Sequence, residues 1–291
     1  MYSNKLYTPL RYPGGKAKFA PFIAKTMELN GIVGGHYLEP YAGGAAVALE
    51  LLFHGNASHV HINDFDPAVY DFWVSATQAP EQILRLLHDT PVTMEQWFYW
   101  RDVLRGKTEV GQVERGFATL FMNRTNRSGI LKAGVIGGLK QSGAYKLDAR
   151  YKKDVLSSRI EKIAEFASHI SVYNEDALAL LSRSGFFLPE NSLVYLDPPY
   201  YVKGQGLYRN FYGHADHQSI AQLLQSENFP HRWVVSYDNV EEIQQMYGLS
   251  QALSYGLHYT AQKRYIGSEI MFFSEGLKVS EEALPQSKAA A

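Results

Sequence analysis

The residues of this 291-residue chain whose types and spacing best suit chemistry are Asp197-Pro198-Pro199-Tyr200, inside the stretch NSLVYLDPPYY. The carboxylate directly follows Leu193 to Leu196, an apolar, strand-forming run of the kind buried on both faces of a parallel sheet. Each proline fixes φ and removes a backbone N–H, so the chain must leave the sheet here with its carbonyls facing whatever lies beyond the strand. In an open α/β sheet that place is the ligand crevice. A stiff polar strand exit with two half-buried rings, Tyr200 and Tyr201, would look the same locally. The tetrapeptide, however, is expected by chance in roughly one chain of this length in a thousand.

A second cluster lies far upstream. Tyr37 to Glu39 reads as a short strand, and PYAGGAAVALELLFHG turns through Gly43 and Gly44 into an apolar helix ending near Gly55. Val60 to Asp64 reads as the next strand, with Asp64 at its exit and Pro67 placed to open a helix. A glycine turn followed about twenty residues later by a strand-end acid is the arrangement in which doubly wound folds hold a ribose. A glycine turn alone would serve helix packing equally well.

Both clusters need a sheet to position them. Strands are expected at His169 to Asn174, Leu193 to Leu196 and Trp233 to Asp238. Helices are expected between them, at Ala177 to Leu181, His217 to Leu224 and Val240 to Tyr247, with a terminal hairpin of two long strands in QALSYGLHYTAQKRYIGSEIMFFSE. Alternating strands and helices predict a mostly parallel sheet. The distance from Glu39 to Asp197 exceeds what consecutive βα units need, and the surplus falls between about 75 and 166. The expected division is therefore a catalytic domain from 1–75 and 166–276, an inserted domain at 76–165, and a disordered tail at 277–291. Asn123 to Gly129 and the glycine-rich run after it read as a loop or hairpin.

Composition limits the possible functions. The chain is 46% hydrophobic and 20% charged, an ordinary globular balance, and no internal repeat is evident. It has no cysteine, which excludes disulfide scaffolds and thiolate metal sites and fits a reducing cytoplasm. No signal segment and no apolar run near twenty residues is present. The net charge of −1 hides an asymmetry: from Arg101 to Lys162, fourteen Lys and Arg face six Asp and Glu, a local +8. That is the footprint of a nucleic-acid-facing module on a more acidic body, although a solvated helical surface also carries scattered charge.

Taken in order, Arg11-Tyr-Pro-Gly-Gly-Lys16, Leu38-Glu-Pro-Tyr-Ala-Gly-Gly-Ala45, Asn63-Asp64, Asn123-Arg124 with Ser128-Gly129, Asp176, Asp197-Pro-Pro-Tyr200 and Gly267-Ser-Glu269 resemble the Dam-like (D12 class) DNA adenine-N6 methyltransferases over about residues 7 to 275. The resemblance implies a Rossmann-like S-adenosylmethionine-dependent sheet with a terminal hairpin and an inserted, mostly helical target-recognition domain. It implies double-stranded DNA as partner, and a cytoplasmic, nucleoid-associated monomer using neither metal nor membrane. Donor binding would fall to Tyr12, Lys16, Glu39, Tyr41, Gly43, Gly44, Asp64, Asp176 and Asp197. Lys16 would take the donor's carboxylate and Asp176 would lie near its adenine amine. Many relatives have glycine where this chain has Ala45; the added methyl group is expected to be tolerated, since Gly43 and Gly44 remain.

Under the same resemblance Asp197, Pro198 and Tyr200 are catalytic. The Asp197 carboxylate and the Pro198 carbonyl would each accept one N–H of an exocyclic amine, freeing its lone pair for the methyl group. Tyr200 would stack on the extruded purine. DNA contacts would come from Arg11, Asn123, Arg124, Asn126, Arg127, Ser128, Lys132, Lys152 and Lys153. Lys132 stands where relatives often place a guanine-reading arginine, and lysine lacks the planar fork, so the target sequence stays open. An RNA adenine methyltransferase and a catalytically silent DNA-binding module remain as alternatives, the second at odds with the intact Asp-Pro-Pro-Tyr.

Overall fold

In the computed structural model, residues 7–12, 15–202, 212–259 and 265–285 are described. Five short strands form a parallel sheet: β1 (Gly35–Glu39), β2 (Ala57–Asn63), β3 (Ile170–Tyr173), β4 (Ser192–Leu196) and β5 (Arg232–Asp238). The long hairpin β6 (Gln251–Tyr259) and β7 (Tyr265–Phe273) joins the β5 edge, with β7 antiparallel to β5. The order is β3-β2-β1-β4-β5-β7-β6. The direction of winding therefore reverses between β1 and β4, which opens a crevice at the C-terminal ends of those two strands. The glycine turn leaves one of them and Asp197 leaves the other.

Side chains alternate across each strand. In β4, Leu193 and Tyr195 enter the core with α1 (Ala20–Leu29), α2 (Ala46–Phe53) and α3 (Pro67–Gln78). Val194 and Leu196 enter the core on the other face, with α8 (Ala177–Ser182), α9 (His214–Leu224) and α10 (Glu241–Met246). Both faces of β4 are therefore dry, as its unbroken apolar run requires.

Between β2 and β3 lie α4 (Pro80–Asp89), α5 (Met94–Leu104), α6 (Gln112–Thr125) and α7 (Lys153–Glu165). The expected boundary at 75/76 falls inside α3. Helix α6 lies so close to α3 that a Cβ on Gly116 would stand 2.4 Å from Ser75 Oγ. Thr119 Oγ1 donates to the Ala68 carbonyl at 2.9 Å, and Arg115 pairs with Asp71 at 2.7 Å. Phe117 and Phe121 join the same core as Phe72 and Trp73. The helical segment is thus built onto the sheet's own hydrophobic layer.

Two expectations are corrected. Asn123 to Thr125 are helical, because α6 runs through Thr125. The loop begins at Asn126 and turns through left-handed Ser128 (φ 57°) and Gly129 (φ 78°). It closes where Asn126 meets Val135 in an isolated antiparallel bridge. The tail is ordered as far as 285: Leu277 is buried, and Asn30 at the C-terminus of α1 bonds both the amide (3.0 Å) and the carbonyl (2.8 Å) of Lys278. Residues 286–291 lie outside the described residues.

Candidate active site at the reversal of the sheet

The turn after β1 is fixed on several sides. Ala42 N–H donates to the Asn63 carbonyl (2.8 Å), Gly43 N–H to Asp64 Oδ2 (2.9 Å), and Trp73 Nε1 to the Gly43 carbonyl (2.9 Å). Gly43 has φ 47°, and a Cβ there would lie 2.7 Å from the Tyr12 ring. Left-handed backbone and the close ring both demand glycine. Ala45 is also left-handed, at φ 44°, which is why a glycine suits that position, and its methyl is buried in the core. The departure therefore costs backbone strain of about 1–2 kcal/mol, while its methyl group stays in the core.

Asp64 Oδ1 accepts from Asp66 N–H at 2.9 Å, and burial pushes its pKa up to about 7. Each carboxylate oxygen retains a further lone pair for a hydroxyl. Glu39 is more deeply placed. Its Oε1 accepts from Tyr37 Oη (2.9 Å) and from Ala48 N–H (3.1 Å) at the start of α2, and burial pushes it up to about 8. Tyr41 Oη donates to Tyr212 Oη at 3.1 Å. Asp176 is exposed and caps α8, accepting from Ala179 N–H at 3.1 Å.

Across the crevice, Asp197 Oδ1 accepts from Ser236 Oγ at 2.9 Å and lies 3.2 Å from Lys16 Nζ. Oδ2 makes no hydrogen bond among the described residues, so the carboxylate is anchored by one oxygen. Lys16 is buried, and its Nζ also reaches Tyr200 Oη (2.5 Å) and Glu269 Oε2 (3.5 Å). Glu269, fully buried on β7, accepts from Tyr255 Oη at 2.8 Å, and burial raises its pKa. Lys16 thus ties the N-terminal segment, the Asp-Pro-Pro-Tyr exit and the terminal hairpin together.

Asp238, at the end of β5, is the residue that sequence reasoning missed. Its Oδ1 accepts from Tyr201 N–H (2.9 Å) and its Oδ2 from Val202 N–H (3.0 Å), so one carboxylate holds the backbone just after the two prolines. Its signal was present: it is a second strand-end acid next to Asp197's strand. Glu269 belonged to a quoted motif, but nothing in spacing could bring it to Lys16.

The expected DNA-contacting residues divide. Asn123, Arg124 and Asn126 are buried. The Asn123 side chain accepts from Arg11 N–H (2.7 Å) and donates to the carbonyls of Arg11 and Gly129 (both 2.8 Å). Arg124 donates to the Pro9 carbonyl, and Asn126 accepts from Trp97 Nε1 at 2.7 Å. These side chains fasten residues 9–11 and the loop, which corrects their assignment to DNA. Lys153 Nζ donates to the carbonyls of His88 (2.5 Å) and Thr90 (3.0 Å) at the end of α4, another structural use. Arg11 is half-buried with Nη1 on the Asn126 carbonyl (3.4 Å), and Ser128 is half-buried in the turn. Arg127, Lys132 and Lys152 are exposed.

A parallel sheet reversed between β1 and β4, with a glycine turn and acid at one exit and Asp-Pro-Pro-Tyr at the other, defines a Rossmann-like methyltransferase. The chain belongs to the D12 class N6 adenine-specific DNA methyltransferase family, whose model matches residues 12–266. Its reaction is accordingly methyl transfer to adenine, with a donor of the S-adenosylmethionine type. No curated protein matches it significantly. Among solved structures it is similar to PH1948 of Pyrococcus horikoshii, a candidate RNA methyltransferase (13% identity, TM-score 0.43, covering 93% of this chain and 89% of that one). It is also similar to the rRNA methyltransferase aviRa from Streptomyces viridochromogenes (13% identity, TM-score 0.35, covering 90% and 87%). No helix among the described residues is long and apolar enough to cross a membrane, and no cluster of three or more His, Asp or Glu among them is arranged to hold a metal ion.

Proposed function

We propose that the chain methylates the N6 amine of an adenine extruded from duplex DNA, with S-adenosylmethionine as donor. The observation that carries this reading is Asp197, anchored through Oδ1 while Oδ2 makes no hydrogen bond among the described residues, directly before a carbonyl in a segment stripped of N–H donors. The Asp197 carboxylate and the Pro198 carbonyl each accept one N–H of the amine, so the nitrogen pyramidalises and its lone pair is aimed. Tyr200, held by Lys16 at its hydroxyl, presents its ring to the purine. After transfer the nitrogen sheds a proton to the nearest acceptor, Asp197.

The residues of the opposite wall fit the donor. Asp64 suits its ribose hydroxyls, the Gly43 and Gly44 backbone and Tyr12 its methionine portion, and Tyr41 and Asp176 its adenine end. Bound there, the donor supplies an electrophilic methyl group. Lys16 serves Asp197 and Tyr200 in this account. Duplex DNA is favoured by the family's description and by the +8 segment, of which Arg127, Lys132 and Lys152 stay exposed. The helical segment from 76 to 165 would be the recognition domain. Incubating the chain with tritiated donor and equal masses of duplex DNA and structured RNA tests the reading: label is expected in the DNA, and label confined to the RNA would overturn it.

A further inference from the structure

Under the loop that follows α6 lies a cleft of about 700 Å³, a size suited to a small ligand. Its apolar wall comes from Trp97, Leu104, Met122 and Leu131, and its charged lining is entirely cationic: Arg101, Arg105, Arg127 and Lys132. Trp97 is buried and fixed by its bond to Asn126. Arg101 lies over the Trp97 ring at 5.2 Å and is bound to Asp102 at 2.9 Å. Arg105, Arg127 and Lys132 form no ion pair with any carboxylate among the described residues. Arg127 lies along Gly134, where a Cβ would come within 3.0 Å of Nη2, so the glycine makes room for the guanidinium at the rim.

An apolar wall beside three cations that form no ion pair among the described residues matches a group with one apolar face and one anionic end. A base with its phosphate is such a group. A purely apolar ligand would leave the cations unanswered, and a paired helix is far too wide for the cleft. Resting on the reading that the chain acts on nucleic acid, we propose that this cleft is a second nucleotide site, which takes one unpaired nucleotide of a bound strand with its base against the half-buried Leu104 and Leu131 and its phosphate on Arg105, Arg127 and Lys132. An apolar contact for the base beside cations for the phosphate divides the work as single-strand grooves do, with aliphatic side chains here in the place of an aromatic platform.

The test measures anisotropy of the full chain with a fully paired duplex and with the same duplex carrying a one-nucleotide bulge, with dAMP as competitor. Leu104→Asn replaces the apolar face under the base by a polar amide, and Arg105→Glu reverses one of the cleft's charges. Wild type is expected to prefer the bulged duplex by about tenfold. Each variant should erase that preference while leaving paired-duplex and S-adenosylhomocysteine affinity within twofold. Millimolar dAMP should lower the preference in wild type only. Absence of any bulge preference, or equal weakening on both duplexes, overturns the proposal. Micromolar dAMP binding without a bulge preference would make the ligand a free nucleotide and overturn it too. Failure to bind either duplex would sink the underlying nucleic-acid reading, a distinguishable result.

Discussion

Asp238→Asn isolates the clamp behind the candidate catalytic exit. The native carboxylate is buried at 2% exposure and accepts two backbone N–H bonds, at 2.9 and 3.0 Å, from the residues immediately following Pro-Pro-Tyr. The amide is isosteric but replaces one acceptor by a donor, so one N–H loses its partner and meets another N–H. A hydrogen bond to a charged group contributes about 1.5–3 kcal/mol, and a buried orphan donor costs about 1–3 kcal/mol. With part of that absorbed by loop movement, about 2–3 kcal/mol remains, which as transition-state misplacement corresponds to a kcat lower by roughly 30- to 150-fold. Single-turnover methylation, beside calorimetry with S-adenosylhomocysteine, would show a large loss of rate and donor affinity within threefold of wild type. A variant with a wild-type rate would refute the claim that Asp238 positions the exit.

Three further outcomes are expected. Gly43→Ala should destabilise the protein by about 1–2 kcal/mol from left-handed strain alone and weaken donor binding, because the new Cβ meets the Tyr12 ring; urea melts and calorimetry check both. Asp64, raised to about 7, should tie donor affinity to pH. Its ionised form accepts ribose hydroxyls best, so affinity should fall as pH drops below about 7, and Asp64→Asn should bind more weakly with that slope lost. His61 is buried beside His36 and His59, and its pKa is depressed to about 3. A lowered histidine gives stability that is present above its unfolded pKa of about 6.5 and lost as pH falls below it, by about 2 kcal/mol at pH 5. His61→Gln should flatten that acid limb in chemical denaturation.

Much of the sheet was legible because three of its strands run into Asp64, Asp197 and Asp238, the first two followed within three residues by a proline. The glycine turn was legible because Gly43 sits where only glycine fits. The end of α6 was misread because Asn123, Arg124 and Asn126 are polar residues spent on buried backbone, and composition cannot tell such a residue from one facing DNA. Lys16 and Glu269 lie 253 positions apart, and they meet only once β7 is inserted beside β5. Lys153 looked like part of a basic surface but serves the carbonyls ending α4.

The most direct test of the account is Asp197→Ala in a single-turnover methylation of duplex DNA, with nucleosides resolved by mass spectrometry and donor-product binding measured on the same preparation. The account predicts N6-methyldeoxyadenosine from wild type. For the variant it predicts a rate lower by more than a thousandfold with S-adenosylhomocysteine still bound. Turnover within tenfold of wild type, or label on another atom, would contradict it.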